Sequence, residues 1–341
     1  MLDKETRQLI NKARTLGSTG LSVFLEDAEL IRLCAIAAID LDRPQLVNHL
    51  LPIEEITNGY YGTALDWFQQ PVLAADSFEE IFFNIQQNIE DFATYFKVLC
   101  ELHKRRLKFQ LILENQPIPE IEQIVPRCLL EYGLRPSESL ASWLVWRKWL
   151  YDSDNRSAQE TGYLFEPILT AAIGGVSFAA SKSPIKRTND PKKGRQVDCI
   201  DGRFAYEFKM RMTIAASGQG RFQEELDFAA DCAGSGYTPI LLVLDSNPST
   251  KLAELIAEYS KYNGKAYIGE SAWNHLETKA GNVMGYFIKK YIRVPLDAVK
   301  DTNTNLEPIY LGFQENSMVV KIADRSFSIS HSIERNPRDN R

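Results

Sequence analysis

Arg195-Gln-Val-Asp-Cys-Ile-Asp-Gly-Arg-Phe-Ala-Tyr-Glu-Phe-Lys209 is the stretch on which the fold turns. Asp201-Gly202 between two runs of strand-forming residues is a strong signal for a two-residue hairpin turn of type I′, whose central positions need positive φ. With those two residues as the turn, Ile200 faces Arg203, Cys199 faces Phe204 and Asp198 faces Ala205. Side chains alternate along a strand, so Ala205, Glu207, Lys209 and Arg211 point the same way as Asp198, while Phe204, Tyr206, Phe208, Met210 and Met212 point the other way. The first face reads as a polar site and the second as core.

On this register Asp198 and Glu207 are diagonal neighbours roughly 7 Å apart, with small Ala205 leaving the space between them open. Two ionised carboxylates at that separation repel by about 2 kcal/mol at an effective dielectric near 20, and a divalent cation would offset that repulsion. The ligands are oxygens with no His or Cys pair beside them, which favours magnesium over zinc, and magnesium keeps waters that can react. Lys209 would sit beside such a water. A lone E-x-K is ordinarily a surface ion pair worth roughly 0 to 1 kcal/mol. Here the turn, the apolar opposite face, the basic run upstream and the helix and apolar strand downstream all agree on a site.

The upstream run carries charge. Between Lys182 and Arg211 nine cations (Lys182, Lys186, Arg187, Lys192, Lys193, Arg195, Arg203, Lys209, Arg211) stand against four acids (Asp190, Asp198, Asp201, Glu207). The whole chain of 341 residues has a formal charge of −6, so nucleic acid would have to be met by this local patch and not by bulk charge. Downstream, Ser217-Gly-Gln-Gly-Arg-Phe-Gln223 reads as a glycine-containing loop that opens a helix and whose backbone donors suit a phosphate. Gln219, Arg221 and Gln223 are candidate DNA contacts, since Arg suits guanine and Gln suits adenine in the major groove. A phosphate-clamping or capping role fits each equally. Lys186, Arg187, Lys192, Lys193 and Arg195 suit backbone contacts, which position DNA without reading it.

Further out, the pattern predicts a mixed α/β (α+β) protein in three parts: a helical region over 1–155, a catalytic core over 156–295 and a C-terminal β tail over 296–341. The first part has helical periodicity, for example Phe92, Tyr95, Phe96, Leu99 and Leu102, with breaks at Asn58-Gly59, Pro117 to Pro119 and Arg135-Pro136. The polar stretch Asp152 to Ser157 reads as a separator. A helix then starts at Ser157 with Glu160 as its box partner, or nearer Leu164 with Pro167 in its first turn, and stops at Gly174-Gly175.

After the hairpin come a helix from about Arg221 to Cys232, an apolar strand Pro239 to Leu244, a helix Thr250 to Tyr262 capped by Ser249, a strand Ala266 to Gly269 and a helical stretch through Lys290. That alternation predicts a mixed sheet covered by helices. Ile309 to Phe313, Met318 to Ile322 and Phe327 to Ser330 predict a small antiparallel meander. Trp143, Trp146 and Trp149 predict a packed helix face. Lys104-Arg105-Arg106-Leu107-Lys108 reads as the cationic end of a helix, where the macrodipole favours positive charge.

With 44% hydrophobic and 25% charged residues the chain is ordinary globular material, which excludes disorder as the default. Its five cysteines show no metal-ligand spacing and read as reduced thiols, and its four histidines have no partner spacing. No stretch approaches the roughly 20 apolar residues of a membrane span, and Met1 to Arg14 is charged, so the expected compartment is the cytoplasm.

Val197-Asp198, eight intervening residues, then Glu207-Phe208-Lys209 resembles the PD-(D/E)xK nuclease signature found in type II restriction endonucleases. The stretch from Thr213 to Leu226 is similar to the ApaLI-like group of those enzymes. Val197 stands where the family name has proline, at a position that varies widely. The resemblance spans roughly Ser157 to Leu244. It implies a prokaryotic, sequence-specific double-stranded DNA endonuclease, working as a homodimer with Mg2+. It further implies that Asp198, Glu207 and the carbonyl of Phe208 bind the metal and that Lys209 orients or deprotonates water. Glu166, on the preceding helix, would be a fourth member, although an acid beside Pro167 also suits a helix start. Two other readings stay open: a structure-specific or repair nuclease with the same site, and a non-catalytic DNA-binding or interaction protein that keeps the acidic hairpin.

Overall fold

The computed structural model describes residues 3–17, 21–50, 59–72, 76–210, 219–245, 247–302, 307–314 and 317–330, with backbone alone for residues 219–221. Two compact units emerge. One comprises Met1–Ile89, Leu99–Thr161 and Thr302–Arg341, the other Glu90–Val98 and Gly162–Asp301.

The first unit is mainly helical: α1 (Lys4–Arg14), α2 (Asp27–Asp40), α3 (Phe78–Asn88), most of α4 (Phe92–Glu114), the short α5 (Ile121–Ile124) and the larger part of α6 (Ser137–Ile173). It is not wholly so, because β1 (Thr15–Leu16) and β2 (Val23–Phe24) form a small antiparallel pair between α1 and α2. Capping boxes start α2 (Glu26 with Glu29) and α3 (Ser77 with Glu80), each satisfying two backbone donors that a helix start leaves open.

The cationic segment Lys104 to Lys108 lies inside α4, not at its end. Its charges are absorbed locally: Arg105 and Lys108 both reach Glu160 at 2.8 Å, and the buried Lys104 donates to the carbonyls of Lys12 and Thr15. Arg106 lies over the rings of Tyr60 and Tyr61.

The same ion pairs explain why α6 has no break where one was expected. Glu160 turns to Arg105 and Lys108 instead of back to Ser157. The polar side chains of the supposed separator bond to their own helix: Asp152 pairs with Lys148, and Ser153 Oγ donates to the carbonyl of Trp149. Thr161 does the same to Ser157 one turn on. Pro167 sits inside α6 on an exposed side, and the helix stops at Gly174, whose φ of +78° no β-carbon residue adopts cheaply.

The second unit is built on a five-stranded sheet of order β3-β4-β5-β6-β7: β3 (Val176–Phe178), β4 (Val197–Asp201), β5 (Phe204–Lys209), β6 (Thr238–Val243) and β7 (Lys265–Ile268). β3, β4 and β5 are antiparallel neighbours, while β5, β6 and β7 run parallel, joined through α7 (Gln219–Gly234) and α8 (Thr250–Lys261). Parallel neighbours need such crossovers, and both of these helices lie on the same face of the sheet.

Ala205, Leu241 and Val243 pack with Phe228, Ala229 and Cys232 of α7 and Leu252, Leu255 and Tyr259 of α8. On the other face Tyr206 Oη meets His275 Nε2 at 3.2 Å, from α9 (Glu270–Ile288). Tyr267 stacks on the same imidazole, 4.1 Å between ring centres. A kink at Gly281 (φ 64°) interrupts α9, and a π-helical turn over Lys289–Arg293 leads into α10 (Val294–Lys300).

The C-terminal meander is present as β8 (Ile309–Gln314), β9 (Ser317–Ile322) and β10 (Arg325–Ser330), all antiparallel. It belongs to the first unit. Met318 and Val320 of β9 pack on Trp149, and Trp146 stacks on Phe313 at 5.3 Å. Trp143, the third of the series, is partly exposed and flanked by Arg135 and Arg147. No helix among the described residues is long and apolar enough to cross a membrane.

Candidate active site

The hairpin forms, but two residues out of the expected register. Cys199 pairs with Tyr206, Ile200 with Ala205 and Asp201 with Phe204. The turn is therefore Gly202-Arg203, and Gly202 alone has positive φ (57°). That sign pattern belongs to type II′, which wants glycine at its first central position. The paired ladder ends at Cys199–Tyr206, and Asp198 and Glu207 are the next residues beyond it on the two strands, where β4 is also irregular against β3. An offset of two preserves the face of every side chain.

The face itself differs from expectation. It is not a polar surface opposite a core, because α7 and α8 cover it, and its polar residues occupy one end. Ala205 is fully buried among the apolar residues under those helices, while Glu207 and Lys209, further along β5, are about one fifth exposed.

Asp198 is almost wholly buried, and Oδ2 accepts the amide N–H of Phe208 at 2.8 Å. Its own backbone carbonyl accepts the hydroxyl of Thr170 on α6 at 2.9 Å. Glu166 lies one helical turn before Thr170, on the same side of α6, which is the side turned to β4. Burial, then the charge of Glu207, then that of Glu166, push the Asp198 carboxyl well above the usual carboxylate range, against the Phe208 hydrogen bond and Lys209. This is a carboxylate cluster short of positive charge.

Lys209 Nζ bridges Glu207 Oε1 at 2.9 Å and Glu225 Oε1 of α7 at 3.2 Å. Burial disfavours its charge, but the two glutamates outweigh burial and hold the amine above its ordinary value. Among the described residues no three His, Cys, Asp or Glu side chains converge as a ready metal cage. The donor set is two carboxylates on adjacent strands with a backbone segment between them, which suits a hard cation that keeps part of its water shell.

The basic run folds into a loop held close to the sheet. The amide of Arg195 donates to the carbonyl of Ile185 and that of Arg187 to the carbonyl of Lys193, and Lys186 bridges Gly194. Lys186, Lys192 and Lys193 are exposed and, with Arg187, line an open groove. Arg187 pairs with Glu224 of α7 at 2.7 Å. Arg195, expected among the phosphate contacts, is instead buried: it pairs with Asp231 at 3.1 Å and Glu224 at 3.3 Å and lies over Phe228. Gln223 is exposed, its amide donating to Asp227. Gln219 and Arg221 lie in the first turn of α7, with side chains outside the described residues, as is the whole of Arg211.

Sequence reasoning misses Glu225 and Thr170. For Glu225 the available signal is helical spacing: it precedes Phe228 and Ala229 by three and four residues, so it shares their sheet-facing side. For Thr170 there is none, since its role depends on α6 running unbroken up to β4.

The model of the ApaLI-like restriction endonuclease family matches residues 68–293 of the chain. The type II restriction enzyme ApaLI of Acetobacter pasteurianus is 47% identical over 319 residues, covering 90% of this chain and 85% of that protein. No solved structure matches the chain.

Proposed function

Because this chain belongs to the ApaLI-like restriction endonuclease family, and so is a sequence-specific DNA endonuclease, we propose that its β4–β5 hairpin is the phosphodiester-cleaving centre of a PD-(D/E)xK core over residues 156–295. The observation that carries this reading is the buried Asp198, whose carboxylate accepts the Phe208 amide between Glu207 and Lys209, at the end of a helix-covered mixed sheet. Folding gains nothing from confining like charges there, whereas a divalent cation would turn their repulsion into attraction.

The ion is Mg2+, held by Asp198, Glu207 and the carbonyl of Phe208. When bound it supplies Lewis-acid polarisation of the phosphoryl group, a nucleophile at neutral pH and stabilisation of the departing oxygen. Lys209, kept protonated by two carboxylates, acts as a hydrogen-bond donor that orients the attacking water against the scissile phosphate. Glu166 adds negative potential to Asp198 and so favours the cation.

Lys186, Arg187, Lys192 and Lys193 track the DNA backbone, and Arg211, two residues beyond Lys209, joins them. Gln219, Arg221 and Gln223, at the start of α7, read bases or clamp a phosphate. One hairpin serves one strand, so cutting both strands of a symmetric site calls for a homodimer. The enzyme works in a prokaryotic cytoplasm, where its unpaired cysteines stay reduced.

Digestion of supercoiled plasmid with Mg2+ tests the reading: the native protein yields discrete, sequence-defined fragments, and Asp198→Asn and Lys209→Ala each abolish them. Retention of Mg2+-dependent cleavage by both variants overturns the assignment of the centre.

A further inference from the structure

Two consecutive acids of α7 serve different partners. Glu224 turns to Arg187 and Arg195 of the basic loop, while Glu225 turns to Lys209. The second contact joins different elements across a sequence separation of 16 residues. It is no ordinary surface pair, since the lysine side chain is only 21% exposed and that of Glu225 only 30%. The backbone of Glu225 is also anchored, because Phe228, Ala229 and Cys232 further along the same face are buried against the sheet.

Resting on the centre assigned above, we propose that Glu225 is a positioning residue for Lys209: it is the counter-ion that keeps the ammonium in place when Glu207 is engaged by the divalent cation. A dication held by Asp198 and Glu207 repels the neighbouring ammonium of Lys209 and draws on Glu207, the carboxylate to which that ammonium also bonds. Glu225 offsets that repulsion from the side of the lysine facing α7. Without it, Glu207 is the sole carboxylate paired with Lys209 among the described residues, and lysine and cation compete for the same oxygens. Buried ion pairs broken on one side are strongly destabilised, so the amine would move.

The test uses full-length Glu225→Ala, Glu225→Gln and Glu225→Asp, and Glu225→Ala in a Lys209→Ala background. Single-turnover cleavage should fall about 10- to 100-fold in Glu225→Ala, a scale typical of a misplaced catalytic group. Glu225→Asp should recover part of that loss, and affinity for cognate DNA in Ca2+ should stay within about twofold, as for an interaction that does not hold the substrate. As a readout apart from activity, Mn2+ binding to the DNA-free protein, followed by electron paramagnetic resonance, should weaken several-fold in Glu225→Ala and Glu225→Gln.

Acting through Lys209, Glu225→Ala should add nothing to Lys209→Ala in Mn2+ binding, the readout that survives the loss of cleavage. An unchanged rate in Glu225→Ala, or an equal further loss in the lysine-free background, overturns the proposal. Circular dichroism and melting of the isosteric Glu225→Gln separate misfolding from misplacement. If Asp198→Asn abolishes cleavage while Glu225→Ala leaves it intact, this inference alone fails; if Asp198→Asn cleaves, the assignment of the centre fails first.

Discussion

Asp198 Oδ2 accepts the backbone N–H of Phe208 at 2.8 Å, so the acid of one strand satisfies a main-chain donor lying between Glu207 and Lys209 on the next. The carboxylate thus has a structural duty that a neutral acceptor also fulfils. Its negative charge, by contrast, is opposed by burial, by Glu207 and by Glu166.

Asp198→Asn should therefore stabilise the metal-free protein while destroying cleavage. An unfolded aspartate titrates near 3.8, and the folded carboxyl titrates higher. Between those two values the folded state holds a proton that the unfolded state has lost, so stability falls as pH rises through the window and levels off above it. In EDTA the melting temperature of the variant should exceed that of the native protein, with the gap widening as pH increases. Each kcal/mol relieved corresponds to about 2 to 4 °C. Mg2+ should raise the melting temperature of the native protein and not that of the variant; the reverse order in EDTA at pH 8 would contradict the electrostatic account.

Calcium in place of magnesium should allow DNA binding with little cleavage, because it satisfies the carboxylates but activates water less well. Gel-shift and plasmid assays on the same samples separate the two. Efficient cutting in Ca2+ would argue against a water activated at this site.

Neutralising Lys192 and Lys193 should weaken binding on every sequence and flatten the slope of log K against log salt by about 0.9 for each phosphate that is no longer neutralised. Both side chains are exposed on the groove-lining loop and neither sits in the core. A loss confined to the cognate site would make them base readers.

Arg195→Ala should destabilise the fold by about 3 to 5 kcal/mol, the range for removing one side of a buried ion pair. It strands Asp231, which also accepts the amide and hydroxyl of Thr188. Urea titration should place it far from Lys193→Ala, which should lie within about 0.5 kcal/mol of native, as surface changes do.

The elements of the second unit were legible because each carries its own local signal. Ser249 caps α8 by accepting the amide of Leu252, and the run at β6 is apolar at every position but its first. The three strands of the meander fall within a residue or two of where turn residues delimit them. What stayed hidden depends on partners distant in sequence. Glu160 looks like a capping residue until Arg105 and Lys108 are placed beside it, and Arg195 looks like a phosphate ligand until Asp231 is found beneath it. The turn misled because Asp201-Gly202 and Gly202-Arg203 are both good two-residue loops, and the choice is made by pairing across the whole ladder, not by the turn alone.

Because the Gly202-Arg203 corner and the acids lie at opposite ends of the hairpin, the spacing between Asp198 and Glu207 behaves like a ruler graduated in twos. Adding one residue to each arm moves the corner outward and leaves the acids as the next residues beyond the ladder; adding a single residue forces a bulge or turns one acid away. Among relatives of this nuclease, the gap between the two acids should therefore change by even numbers wherever the strands remain regular.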